Sequence, residues 1–183
     1  MPNEIKKNEA QKNNSPTSLR VDHTRQTPGL CGPASLQILL SHFGKTYSEK
    51  QLQGLASATM DSGTEHEGMI QAAKEIGGFV FAKENATLQD LDYFIKEEKL
   101  PVIIGWFDGD GDHYSVVISI TDKNIVISDP AADDPERWID RDTFPNVWFD
   151  FIGADNRTVS WGWFMVVTFE KKHFPKIQGG YYY

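Results

Sequence analysis

The chain has 183 residues, a net charge of −8 and one cysteine. At this length one domain buries about two-thirds of its unfolded surface and needs no staples, and a single cysteine excludes an internal disulfide and points to a reducing, cytoplasmic setting or a non-classical export route. The acidic balance argues against a nucleic-acid partner, which requires clustered Lys and Arg, and no segment approaches the ~20 apolar residues of a membrane span.

Residues 1 to about 20, polar and carrying Lys6-Lys7 and Asn13-Asn14, read as a mobile, disordered arm. The folded domain is expected over 21–170. A loop, Gln26-Thr27-Pro28-Gly29-Leu30, runs into an apolar helix that opens at Cys31-Gly32-Pro33, continues through Leu36, Leu39 and Phe43, and closes at Gly44. Ser48-Glu49-Lys50-Gln51 and Thr64-Glu65-His66-Glu67 both have the spacing of capping boxes, the second opening a helix that ends at Gly77-Gly78. Thr87 is expected to cap a helix from Leu88 to about Glu98. Beyond Pro101 the period changes. The stretches 101–107, 113–120 and 124–129 predict three strands of an antiparallel meander, and 163–169 a strand that returns beside them after an irregular, aromatic-rich stretch. Helices first and a sheet second make an α+β domain. The last segment, 171–183, reads as a frayed tail.

A lone cysteine is ordinarily a small core hydrophobe, but Cys31 sits at a helix start. Unpaired backbone N–H groups and the positive end of the helix dipole there favour the thiolate, the form that attacks carbonyls. The Gln26 amide, upstream of Cys31, can donate to an oxyanion that forms beside the sulfur. Such a nucleophile needs a base and an acceptor that orients the base. His113 opens one predicted strand and Asp129 ends the next, and in an antiparallel hairpin those two positions are neighbours. Asp112 is a competing partner, but adjacent strand residues point to opposite faces, which favours Asp129.

The order Gln…Cys-Gly-Pro-Ala, then His-Tyr-Ser-Val-Val, then Ser-Asp-Pro resembles the papain-like cysteine peptidases, most closely the double-glycine, bacteriocin-processing branch, over roughly Thr24 to Pro130. The resemblance implies Cys31 as nucleophile, His113 as general base and acid, Asp129 as its orienting partner and Gln26 as oxyanion donor. It also implies a papain-like fold, a peptide or protein substrate, and no cofactor or metal. Leu30 departs from the polar or acidic residue common before the cysteine, and Asp112 from the glycine that often precedes the histidine. No membrane domain or nucleotide-binding motif follows in this chain, so the peptidase unit is expected to stand alone. The resemblance to double-glycine peptidases, together with Gly32 and Gly105 as positions that leave a narrow groove, implies a preference for Gly-Gly or Gly-Ala before the scissile bond. Two other readings stay open: acyl transfer on the same scaffold, and a peptide-binding domain without turnover.

The remaining signals point away from the chemistry. Asp108-Gly109-Asp110-Gly111-Asp112 has neither the sixth-position glycine nor the twelfth-position acid of a calcium loop and reads as a solvated turn. One cysteine with scattered histidines has no zinc-ligand spacing. His23, His42, His66 and His173 carry no motif, and the Trp148 and Trp161-Gly162-Trp163 aromatics read as core and sheet-face residues.

Overall fold

The computed structural model describes residues 18–153 and 157–183, so the expected arm falls, for residues 1–17, outside the described residues. Three helices come first: α1 (Cys31–Ser41), α2 (Glu49–Leu55) and α3 (His66–Glu75). The start of α1 is fixed by its approach. Leu30 N–H donates to Thr27 O (2.9 Å) across a turn in which Gly29 has φ +80°, so Pro28 presets the second position and glycine supplies the left-handed third. Ser48 and Gln51 form the expected capping box on α2. The box expected on Thr64 and Glu67 does not form, because α3 begins at His66 behind Glu65 with no side-chain cap. Thr64 is held elsewhere: its carbonyl accepts from the Tyr114 hydroxyl (3.1 Å), and its side chain lies against the position of Gly32.

Next come β1 (Phe79–Lys83) and α4 (Leu88–Asp92), the latter capped by a reciprocal Thr87–Asp90 pair. The expected helix to Glu98 continues α4 with wider, π-type turns over Tyr93–Glu98 and stops at Lys99, φ +57°. The meander follows as β2 (Val102–Phe107), β3 (Asp112–Ile120) and β4 (Asn124–Ser128). The stretch expected to be irregular contains β5 (Arg137–Asp140), a 3-10 turn at Phe144–Asn146, and the hairpin β6 (Phe149–Ile152) and β7 (Thr158–Trp161). The chain ends with β8 (Phe164–Thr168) and β9 (Tyr181–Tyr182).

Seven strands form one antiparallel sheet in the order β5-β4-β3-β2-β8-β1-β9. One strand has no counterpart in the sequence reading, and one expectation is corrected. Helices come first as expected, but β1 lies among them and crosses to pair with β8 near the far edge. The terminal tyrosines are not a frayed tail: β9 adds to the free edge of β1, and Tyr183 and Val80 exchange backbone hydrogen bonds (2.9 and 3.2 Å). An unpaired strand edge is a row of unsatisfied donors and acceptors, and the chain covers it with its own end.

The sheet is buried on both faces, which explains the unbroken apolar runs of β2, β3 and β8. Helices α1 to α3 cover one face through Leu36, Leu39, Met69 and Ala73 against Val116, Ile118 and Met165. The α4 segment and the Phe144–Trp148 turn cover the other through Phe94, Phe144 and Trp148 against Ile104, Val117 and Phe164. Because α1 lies along β3, its first turn comes to rest at the end of the sheet where β3 starts and β4 finishes.

Candidate active site

Cys31 is the first residue of α1, half-buried, and no side chain caps the preceding Leu30. The amide hydrogens of a first helical turn have no partner within the helix, so a ligand oxygen at the sulfur meets backbone donors there. Pro33 withdraws its own donor at no cost in that turn. Gly32 has a different role from the one expected: a Cβ there would lie 2.7 Å from Thr64 Oγ1 and 2.8 Å from the Met69 sulfur. Its missing side chain lets α3 approach, rather than a substrate.

His113 and Asp129 converge as the hairpin argument anticipates. His113 Nε2–H donates to Asp129 Oδ1 (2.7 Å), and both side chains are buried. That leaves Nδ1 as the ring nitrogen not engaged by Asp129, and Cys31 and His113 line one cleft. Burial opposes a charged ring, but Asp129 and Cys31 outweigh it and raise His113 from 6.5 to about 9. Burial likewise pushes Asp129 upward, yet the bond and charge of His113, the Ala131 amide and Arg137 together lower it to about 2. Asp112 is engaged elsewhere, accepting from Phe151 N–H (3.0 Å).

Gln26 is anchored by its backbone N–H to Pro130 O (2.9 Å), beside Asp129, and it lines the same cleft as Cys31 and His113. Its Oε1 is buried without a hydrogen-bond partner. One more anchor comes from His23, whose Nε2–H donates to Ala132 O while Nδ1 accepts from the Ser128 hydroxyl, both at 3.0 Å. His23 therefore ties the extended segment before the nucleophile to the loop that carries Asp129.

Two groups at the site escaped sequence reasoning. Arg137 donates to Asp129 Oδ2 (2.8 Å) and lies over the Trp106 ring, 5.0 Å from its centroid. His66 and Asp150 form a second buried pair (Nε2–Oδ2 2.7 Å), with the imidazole stacked on Trp163 at 3.9 Å. Gly105 exists for that pair, since a Cβ there would run into the Asp150 carboxylate. The narrow groove expected from Gly32 and Gly105 is thus filled by the protein's own side chains. No sequence signal joins His66 to a partner 84 positions away. Among the aromatics, Trp148 and Trp163 are core residues as expected, while Trp161 is about half exposed.

Comparison with known proteins gives this arrangement a family context. A sequence model of the peptidase C39 family matches residues 23–152. The pediocin PA-1 transport/processing ATP-binding protein PedD of Pediococcus acidilactici is 31% identical over 120 residues, which are 64% of this chain and 16% of that protein. The chain therefore spans a small part of that relative's length. Among solved structures, the peptidase domain of Streptococcus ComA, a bifunctional ABC transporter of a quorum-sensing pathway, superposes with a TM-score of 0.65 at 22% identity, over 81% of this chain and 97% of that one. A double glycine motif protease from an AMS/PCAT transporter, solved with the leader peptide, gives 0.61 at 21% identity over 82% and 92%. Both share the fold.

Proposed function

Because the chain belongs to the peptidase C39 family, and so is a cysteine peptidase, we propose that it hydrolyses peptides with Cys31 as nucleophile, His113 as base and acid, Asp129 as orienting acceptor and Gln26 as oxyanion donor. The observation that carries the assignment is the His113 ring, held by Asp129, in the cleft that Cys31 lines from the first turn of α1. The thiolate adds to the scissile carbonyl, and the oxygen takes up negative charge facing the Gln26 amide and the Cys31 backbone N–H. His113, protonated at neutral pH, gives its proton to the leaving amine and then draws one from the water that cleaves the thioester. Atoms balance with water as the only co-reactant. No helix among the described residues is long and apolar enough to cross a membrane, and a thiol that must stay reduced suits a cytoplasmic site of action.

For the cleavage site we propose Gly-Gly or Gly-Ala before the scissile bond. The support is the family and the double glycine motif protease that shares the fold; the filled positions at Gly32 and Gly105 add nothing to it.

The test is alkylation of the single thiol, followed as intact mass, alongside turnover of a Gly-Gly peptide. Labelling is expected to proceed with loss of turnover and to be absent in Cys31→Ala. Gln26→Ala is expected to lower kcat by about 10²–10³ with the fold retained. Turnover that survives labelling, or a Gln26→Ala variant with full kcat, would defeat the assignment. Product masses separate hydrolysis from transfer to an amine.

A further inference from the structure

The cleft at Cys31, about 420 Å³, is lined by Asp61 and Glu65 ahead of α3, by Asp108, Asp110 and Asp112 on the turn into His113, and by Asp150 on β6, with no Lys or Arg in its wall among the described residues. The ion pairs of Arg25, Lys83, Lys96, Arg137, Arg141, Lys172 and Lys176 all end on other carboxylates. A second observation is independent of their number. Asp150 is only 4% exposed, and while its Oδ2 accepts from His66, its Oδ1 is buried with no hydrogen-bond partner. With no donor on Oδ1, that carboxylate keeps negative charge at the wall of the groove, which a cation lying in the groove offsets without touching it. The crowding is also felt at Asp112, whose carboxyl is raised by burial and by the charges of Asp150 and Asp108, against the Phe151 N–H and the His66 charge that lower it. No three of the described His, Cys, Asp and Glu side chains converge as metal ligands. The negative charge is spread along a groove, which suits cationic side chains of a bound chain better than a single ion.

Resting on the peptidase reading above, we propose that the cleft selects peptides carrying Lys or Arg within the few residues that flank the scissile bond, the cation lying between the 61–65 segment and the 108–112 turn. Charges of one sign in a concave wall concentrate the field there and discriminate against peptides of like charge. An acidic flank would face repulsion from both walls at once, whereas a neutral one would leave the carboxylates as they are.

The experiment uses the full chain with Cys31→Ala, so that binding is read without turnover. Labelled peptides with a central Gly-Gly carry Lys, Ala or Glu at each flanking position in turn, and Kd is measured by fluorescence anisotropy. At one position or more, the Lys peptide is expected to bind about tenfold more tightly than the Glu peptide, which corresponds to about 1.4 kcal/mol. The gap should narrow in about 0.5 M salt, where the Debye length falls to a few ångströms. It should narrow too in the exposed double variant Asp61→Asn/Asp110→Asn. Equal affinities at every position, tighter binding of Glu, or no binding of any peptide up to about 1 mM would overturn the proposal. Cleavage of the Ala peptide by the unmodified chain is scored separately: a Lys preference without cleavage counts against hydrolysis and leaves the cleft assignment standing.

Discussion

Asp129 accepts from His113, the Ala131 amide and Arg137 together, so its carboxylate has little freedom to turn and the imidazole it holds is fixed in one tautomer. In the proposed mechanism Arg137 acts through Asp129, as a positioning residue. In Arg137→Ala we expect kcat to fall by less than the ~10²–10⁴-fold that general acid–base catalysis supplies, with KM unchanged and partial rescue in Arg137→Lys; a rise in KM alone would assign Arg137 to substrate binding. The same group of charges gives stability a pH dependence. His113 is raised to about 9 in the folded chain against roughly 6.5 unfolded, so folding favours its proton. That contribution is complete below pH ~6.5 and is lost as pH rises through about 9. Asp129 runs the other way, lowered to about 2 from roughly 3.9, and its contribution is present above pH ~3.9 and lost as pH falls toward 2. Denaturant unfolding should therefore show His113→Gln to be most destabilising near pH 5.5 and progressively less so by about pH 9.5. A destabilisation that stays constant over that window would mean that folding does not raise the affinity of His113 for its proton.

At the scale of elements, the site is a junction between the first turn of α1 and the end of the β3–β4 hairpin, and β2 sets how closely a neighbouring hairpin approaches it. Gly105 on β2 is paired with Tyr114 on β3, and its missing side chain admits Asp150 of β6 with the attached His66 of α3. One glycine thus brings a helix, a strand and a hairpin together behind the cleft. Gly105→Ala is expected to destabilise the fold by about 1–3 kcal/mol, as overpacking of a filled core does, which equilibrium unfolding would measure. Asp150→Ala in the same background should recover part of that loss by removing the clash. Full additivity of the two substitutions would separate Gly105 from the pair.

For the molecule as a whole, the sequence disclosed the parts whose signals are local. The Thr27–Leu30 turn and the Ser48–Gln51 box depend on neighbours in the chain, and the meander announces itself by apolar runs between Asp/Gly turns. Cys31, His113 and Asp129, the proposed triad, stand out in the sequence because each marks the end of such an element. What stayed hidden depends on distant partners. The run Phe79–Lys83 looks like the end of a helical region until β8 pairs with it, and the terminal tyrosines form a strand only because β1 offers an open edge. Thr64 does not cap α3 because the helix begins at His66 behind Glu65, while the Thr64 carbonyl accepts from Tyr114 and its side chain packs at Gly32. Histidines showed the limit most clearly, since nothing in the sequence distinguishes His23 from any other polar loop residue. In the fold it joins the segment that leads to Cys31 to the loop that carries Asp129, through Ser128 and Ala132 at 3.0 Å each. Ser128 is fully buried, so removing the ring leaves its hydroxyl without that partner, and His23→Ala is expected to cost about 1–3 kcal/mol. The loss should be regional: hydrogen exchange at the Ala131 and Ala132 amides, both bonded to Asp129, should rise more than exchange in β2 and β8. Because the loosened loop is the one that aims His113, kcat should fall with it while KM holds. Unchanged exchange at Ala131 and Ala132 alongside full activity would show that the rest of the sheet positions Asp129 without this clasp.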